Sequence, residues 1–242
     1  MNECSFIFLL TYLIIRLIYL IDLFRIEVIM KLREPMNGFT HFIGILLSIA
    51  SLPILVVPAA QMGKTLHVVS FTIFSSSMIL LYSSSTIYHW ANVSAKTLKT
   101  LRKVDHIMIF VMIAGSYTPI TLIGLKGGWG WSLFGVAWGI TLIGVFLKLF
   151  WLDMPRKLYV GLYLLMGWIV IIAIYPLSQA VSQSALNWLF LEGVLYSVGA
   201  VIYIIKKPNF KNFGFHEIWH IFVLLGSLAQ FMLLYKEILI MD

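Results

Sequence analysis

Residues His216–Tyr235 read HEIWHIFVLLGSLAQFMLLY, twenty positions with one formal charge, at Glu217. A helix rises 1.5 Å per residue, so a run of this length spans the ~30 Å hydrocarbon core of a bilayer. Its first turns carry two histidines, His216 and His220, four residues apart. That spacing stands the two imidazoles one above the other on a single helix face. Both can then reach one metal ion, and imidazole suits zinc. A pair is half a site, and the rest of the chain must bring the remainder.

The whole chain agrees with a membrane setting. Of its 242 residues 61% are hydrophobic and 11% charged, against about 25% charged in a soluble domain. The mean hydropathy is +0.96. The net charge of +7 does not point to nucleic acid, because the basic residues sit in short gaps between apolar runs, where they set membrane orientation. A single cysteine, Cys4, excludes an internal disulfide framework and a cysteine-rich metal site.

Apolar runs near 39–60, 66–89, 104–125, 129–150, 157–177, 186–205 and 216–235 predict an all-α membrane protein, a seven-transmembrane helix bundle forming one domain over residues 31–242. Small residues inside the runs (Gly115, Ser116, Gly135, Gly139, Gly144, Gly193, Gly199, Gly226) allow close helix approach. Pro53 and Pro119 are expected to kink their helices, which membrane bundles tolerate. From residue 31 on, twelve Lys and Arg fall before the first run or about the ends of the second, fourth and sixth, and three, Lys64, Lys126 and Lys236, on the other side. The positive-inside rule then predicts a cytoplasmic N-terminus for the bundle and a C-terminus outside. The aromatic run ends (Trp129, Trp131, Trp151, Tyr175) read as interfacial anchors.

Residues 1–30 fit less well. Ser5–Phe24 is apolar, but Arg16 lies near its middle and Asp22 near its end; a central Arg costs ~2.5–3.5 kcal/mol on the insertion scale. The segment has no basic start or small-residue cleavage site of a signal peptide. Two expectations stand side by side: Met30 is the true start, or the segment is an interfacial helix.

Polar residues inside spans are expensive and are functional candidates for that reason. The second span closes on Ser85-Thr86-Ile87-Tyr88-His89, the third opens with Asp105-His106, and the seventh opens with His216 and His220. By the predicted topology all lie on the cytoplasmic side at similar depth. Three neutral imidazoles, His89, His216 and His220, plus a water make a zinc site with one open position. Asp105 and Ser85 are placed to hold that water or orient a ligand. Each has a plainer reading: a histidine at a helix end is commonly an interfacial polar group, Asp105 can pair with Arg102 or Lys103, and Ser85 can bond its own helix backbone. Coincidence of depth across three distant segments favours the metal site. His216-Glu217-Ile218-Trp219-His220 also matches the H-E-x-x-H metalloprotease pattern; Glu217 is equally explained by the positive start of a helix. His106 points about 100° away from Asp105, and His67 falls on the opposite membrane side.

These pieces together resemble the hemolysin III family, the bacterial branch of the progestin and adipoQ receptors. The matching stretches are Glu34-Pro35-Met36-Asn37-Gly38-Phe39-Thr40-His41, Ser85-Thr86-Ile87-Tyr88-His89, Asp105-His106 with Ala114-Gly115-Ser116-Tyr117-Thr118-Pro119, and His216-Glu217-Ile218-Trp219-His220. The resemblance covers about residues 31–237. It implies a seven-helix bundle in a bacterial plasma membrane with zinc near the cytoplasmic face, ligands matching His89, His216 and His220, and water-mediated roles matching Asp105 and Ser85. It also implies kinship with membrane hydrolases that include alkaline ceramidases. Glu34, Asn37 and His41 belong to the matching stretch and read as supports of the site, with Asn37 a candidate cap of the first helix.

Three functions follow as expectations. The first is a zinc-dependent hydrolase of a membrane-lipid amide or ester, with Asp105 as general base and Ser85 steadying the oxyanion or water; the acyl chain lies between helices, among Phe, Leu and Met side chains. The second is a lipid-sensing receptor or regulator with structural zinc. The third is a haemolytic pore-former, disfavoured because the spans are apolar enough to stay in the membrane that makes them.

Overall fold

In lipid every backbone N–H and C=O must find its partner inside the protein, which favours helices. The computed structural model describes residues 31–210 and 213–241, and these form helices with no strand among them. The expected extra segment, residues 1–30, lies outside the described residues.

Seven helices among the described residues are long and apolar enough to cross a bilayer: α1 Pro35–Gln61, α2 Thr65–Trp90, α3 Ala95–Leu125, α4 Gly127–Phe150, α5 Arg156–Ala180, α6 Gln183–Ile205 and α7 Phe215–Ile238. α3 is the central one, buried over 72% of its apolar stretch, while no other helix exceeds 50%. α1 packs on α2, α2 on α3, α3 on α4 and α5, α5 on α6, α6 on α7, and α7 returns to α1. Side-chain contacts place the start of α7 beside the end of α2 and the start of α1.

Several local features differ from the sequence expectation. α3 begins at Ala95, nine residues before the expected 104, because Ser94 caps it by accepting from the Thr97 amide at 3.3 Å; hydropathy registers only its apolar part. Asn37 is not a cap. The first helix starts at Pro35, whose missing N–H suits an opening position, and the Asn37 amide donates to Glu34 Oε2 at 3.3 Å. Helix α1 runs without interruption through Pro53 and Pro58, whereas Pro119 stands where α3 turns from α-helix to π-helix over Ile120–Leu125. A side chain at Gly115, Gly144, Gly199 or Gly226 would strike Ser77, Phe110, Phe222 and Tyr196 respectively, so these four are close-approach points; Gly135 and Gly139 face open space.

α5 is broken. Its α-helix ends at Gly167 and resumes at Ile174 after a 3₁₀ stretch, Ile169–Ala173. The Tyr117 hydroxyl of α3 spans the break, donating to the Gly167 carbonyl at 2.7 Å and accepting from the Val170 amide at 3.0 Å. Irregular backbone at membrane depth is tolerated where protein satisfies it in this way.

Candidate metal centre

The approach to α1 is tied to the end of α2. The Glu34 amide donates to the His89 carbonyl at 3.0 Å, Arg33 donates to the Tyr88 carbonyl at 2.8 Å, and the Trp90 indole donates to the Pro35 carbonyl at 3.1 Å. Gly38 is required here, because a Cβ would run into the Trp90 ring. At α7, Glu217 Oε2 accepts from the Gly214 amide at 2.8 Å, a bond that closes the helix start. Glu217 is thus a capping residue, and the metalloprotease reading loses its general base.

These ties bring His89, His216 and His220 together, with one ligand atom from each lying within 4.8 Å of the others. His216 Nε2 is 3.3 Å from His89 Nε2. Two nitrogens bound at about 2.0–2.1 Å to a tetrahedral ion stand roughly 3.3 Å apart. The opposite ring nitrogens are engaged. His89 Nδ1–H donates to Glu34 Oε2 at 2.5 Å. His220 Nδ1–H donates to the Asn37 carbonyl at 3.1 Å and to Thr40 Oγ1 at 2.9 Å. Thr40 is itself fixed, since its hydroxyl donates to the same carbonyl at 2.8 Å. Protonation at Nδ1 leaves the Nε2 lone pair free, and a carboxylate or carbonyl behind an imidazole is how proteins orient metal-binding histidines. His220 Nε2 is buried and has no hydrogen-bond partner among the described residues. The donor set therefore fits a divalent ion, and the three histidines can form a metal site.

Glu34 stands just outside the spans. Burial pushes its carboxyl up, but the hydrogen bond from His89 and the charge of Arg33 hold it down at about 2. It stays ionised behind His89. His41 stacks on His220 with ring centroids 3.6 Å apart. It is outside the three-histidine group, in keeping with a supporting position. His67 hydrogen-bonds to the Ile238 carbonyl at the far end of α7, away from this cluster.

Asp105 and Ser85 are both buried and interact with one another. Asp105 lines the same polar pocket as His89, His216, Arg102 and Arg156. That pocket shares His106, Tyr159, Tyr203 and Trp219 as walls with a second, mostly apolar cavity of about 190 Å³. The apolar cavity runs between α3, α5, α6 and α7. Ile171 and Ile174 of α5 and Phe190 of α6 line it while also being exposed on the outside of the bundle. Its wall is richer in Tyr, Trp and Ile than the expected Phe, Leu and Met, and it contains two polar residues with no place in the sequence reading, Glu192 and Gln230.

A family model described as "Haemolysin-III related" matches residues 29–231. The chain belongs to the haemolysin III-related family. It is 46% identical over 198 residues to a Hemolysin-3 homolog of Bacillus subtilis (strain 168), covering 82% of this chain and 91% of that one. To Hemolysin-3 of Bacillus cereus it is 39% identical, covering 82% and 88%. A more distant likeness, 27% over 186 residues, joins it to the ADIPOR-like receptor IZH2 of Saccharomyces cerevisiae, covering 68% of this chain and 57% of the yeast protein. The family match covers the seven helices apart from the last turns of α7. This is a multi-pass membrane protein of the haemolysin III type.

Proposed function

We propose that this haemolysin III-type protein is a zinc-dependent hydrolase of an amide or ester in a membrane lipid, acting at the cytoplasmic side of a bacterial plasma membrane. One observation carries the reading: His89 and His216 of the histidine cluster share a polar pocket with the buried Asp105, and that pocket has four wall residues in common with an apolar cavity lined in part by exposed residues of α5 and α6. His89, His216 and His220 would hold the ion. A zinc ion there supplies Lewis acidity and lowers the pKa of a water to about 7.

The chain's own residues do the rest. An acyl chain enters past Ile171, Ile174 and Phe190 and lies along the apolar cavity, which puts its carbonyl at the polar mouth. Asp105 takes a proton from the attacking water on a carboxylate oxygen as the new C–O bond forms. It returns that proton to the leaving nitrogen or oxygen as the old bond breaks. Ser85, against Asp105, orients the carboxylate and steadies the water. Glu34 and the Asn37–Thr40 turn keep His89 and His220 in position.

The test is turnover of a panel of fluorescent lipid amides and esters by wild type and Asp105→Asn. The reading expects Asp105→Asn to keep its metal and lose at least a hundredfold in rate, the usual scale for a positioned general base. Unchanged turnover in Asp105→Asn would overturn it. A second reading, a lipid-sensing regulator with structural metal, draws on the receptor name carried by the yeast relative. It predicts no turnover of any panel member by metal-loaded wild type. The haemolysin names of the Bacillus relatives suggest a pore-former, which the apolar, membrane-resident spans disfavour.

A further inference from the structure

The apolar cavity has a polar inner end, far from the metal cluster. Gln230 on α7 is ten residues beyond His220, about 15 Å along the helix at 1.5 Å per residue. Its side chain is 1% exposed. Its amide nitrogen donates to the Ser116 carbonyl at 2.8 Å, which fixes the amide orientation and leaves Oε1 as an acceptor. That oxygen has no hydrogen-bond partner among the described residues. Glu192 on α6 lines the same cavity, is 7% exposed, and its Oε2 is equally without a partner among them. No ion pair of Glu192 occurs among the described residues. The neighbouring hydroxyls are engaged elsewhere: Tyr196 meets Ser227 at 3.1 Å and Tyr117 holds the α5 break.

Two buried acceptors on residues that line one cavity inside a membrane are costly if nothing donates to them. An acidic residue at such depth is a functional candidate for that reason. Everything between this end and the metal pocket is mainly apolar.

We propose that Glu192 and Gln230 form a receptor site for a hydroxyl carried on the ligand's hydrocarbon chain, about 15 Å from its polar head. The cavity thus selects a hydroxylated acyl chain over a plain one: the head meets the metal pocket, the chain fills the apolar section, and the mid-chain hydroxyl donates to Glu192 Oε2 or Gln230 Oε1. The placement of the head rests on the reading under Proposed function; the inner site does not depend on it.

The experiment compares binding of octadecanoic acid and 12-hydroxyoctadecanoic acid to the purified full chain in detergent. The hydroxyl of the second acid lies at a comparable distance from its carboxylate. Wild type should bind the hydroxylated acid about tenfold more tightly, the scale of one good hydrogen bond to a buried acceptor. Glu192→Leu with Gln230→Leu should abolish that preference. Glu192→Leu alone removes an unpartnered polar group and should melt no lower than wild type, so loss of preference in that variant is not loss of fold. Equal affinity for the two acids in wild type, a preference that survives both substitutions, or no saturable binding of either acid would overturn the proposal. Chelation separates the two readings. Loss of the metal should weaken both acids alike and leave their ratio intact. Unchanged affinities after chelation would count against the head placement alone.

Discussion

Replacing Glu34 by glutamine keeps the size of the side chain and removes its charge. In the structure the carboxylate accepts from His89 Nδ1–H at 2.5 Å, a charge-assisted bond worth roughly 1.5–3 kcal/mol when buried. The Glu34 side chain is 37% exposed, so water screens part of this and the lower end applies, about 1.5 kcal/mol. That corresponds to about tenfold in affinity, within the 10–100-fold range seen when a partner behind a metal-binding histidine is removed. Zinc affinity measured by competition with a chromophoric chelator should fall about tenfold in Glu34→Gln and stay unchanged in Asp153→Asn, whose carboxylate pairs with Arg102 at the surface. The same substitution has a pH signature. Glu34 titrates at about 2 in the fold against 4.5 for the free side chain. A depressed carboxyl contributes stability that is complete above the unfolded value and is lost as pH falls through the folded one. Wild type should therefore melt above Glu34→Gln at pH 6, with the gap closing as pH drops from about 4.5 towards about 2. Equal zinc affinity in wild type and Glu34→Gln would refute the positioning argument.

Two further substitutions probe the scaffold. Tyr117→Phe leaves the Gly167 carbonyl and Val170 amide unpaired at the α5 break, and should cost about 1–3 kcal/mol, read as a lower melting temperature in detergent. Gly38→Ala drives a methyl group into the Trp90 indole. Overpacking of this kind costs about 1–3 kcal/mol and should appear as lower thermal stability together with a shifted tryptophan emission.

The seven spans were legible because a bilayer demands about 20 apolar residues per crossing and leaves the charges to the gaps. The histidine cluster was legible for a related reason. Span ends on one side share a depth, so His89 and the His216–His220 pair could be matched without knowing how the helices pack. Features fixed by tertiary contact were not legible. The α5 break lies in Ile169–Ala173, an apolar run with no proline, and is held by a tyrosine about fifty positions earlier. Asn37 looked like a cap because the helix start was placed after it, whereas Pro35 opens the helix. Glu192 carried a readable signal, an acidic residue in the middle of an apolar span. It stood away from the span ends where the metal site was sought, and Gln230, uncharged, gave no comparable cue.

The most direct measurement is elemental analysis of the gently purified protein, wild type beside His220→Ala. His220 is fully buried and its Nε2 has no hydrogen-bond partner among the described residues, so it has no role at the surface to confuse the result. The account predicts about one zinc per chain in wild type and none retained in the variant. Wild type without metal, or a variant that keeps its metal, would contradict it.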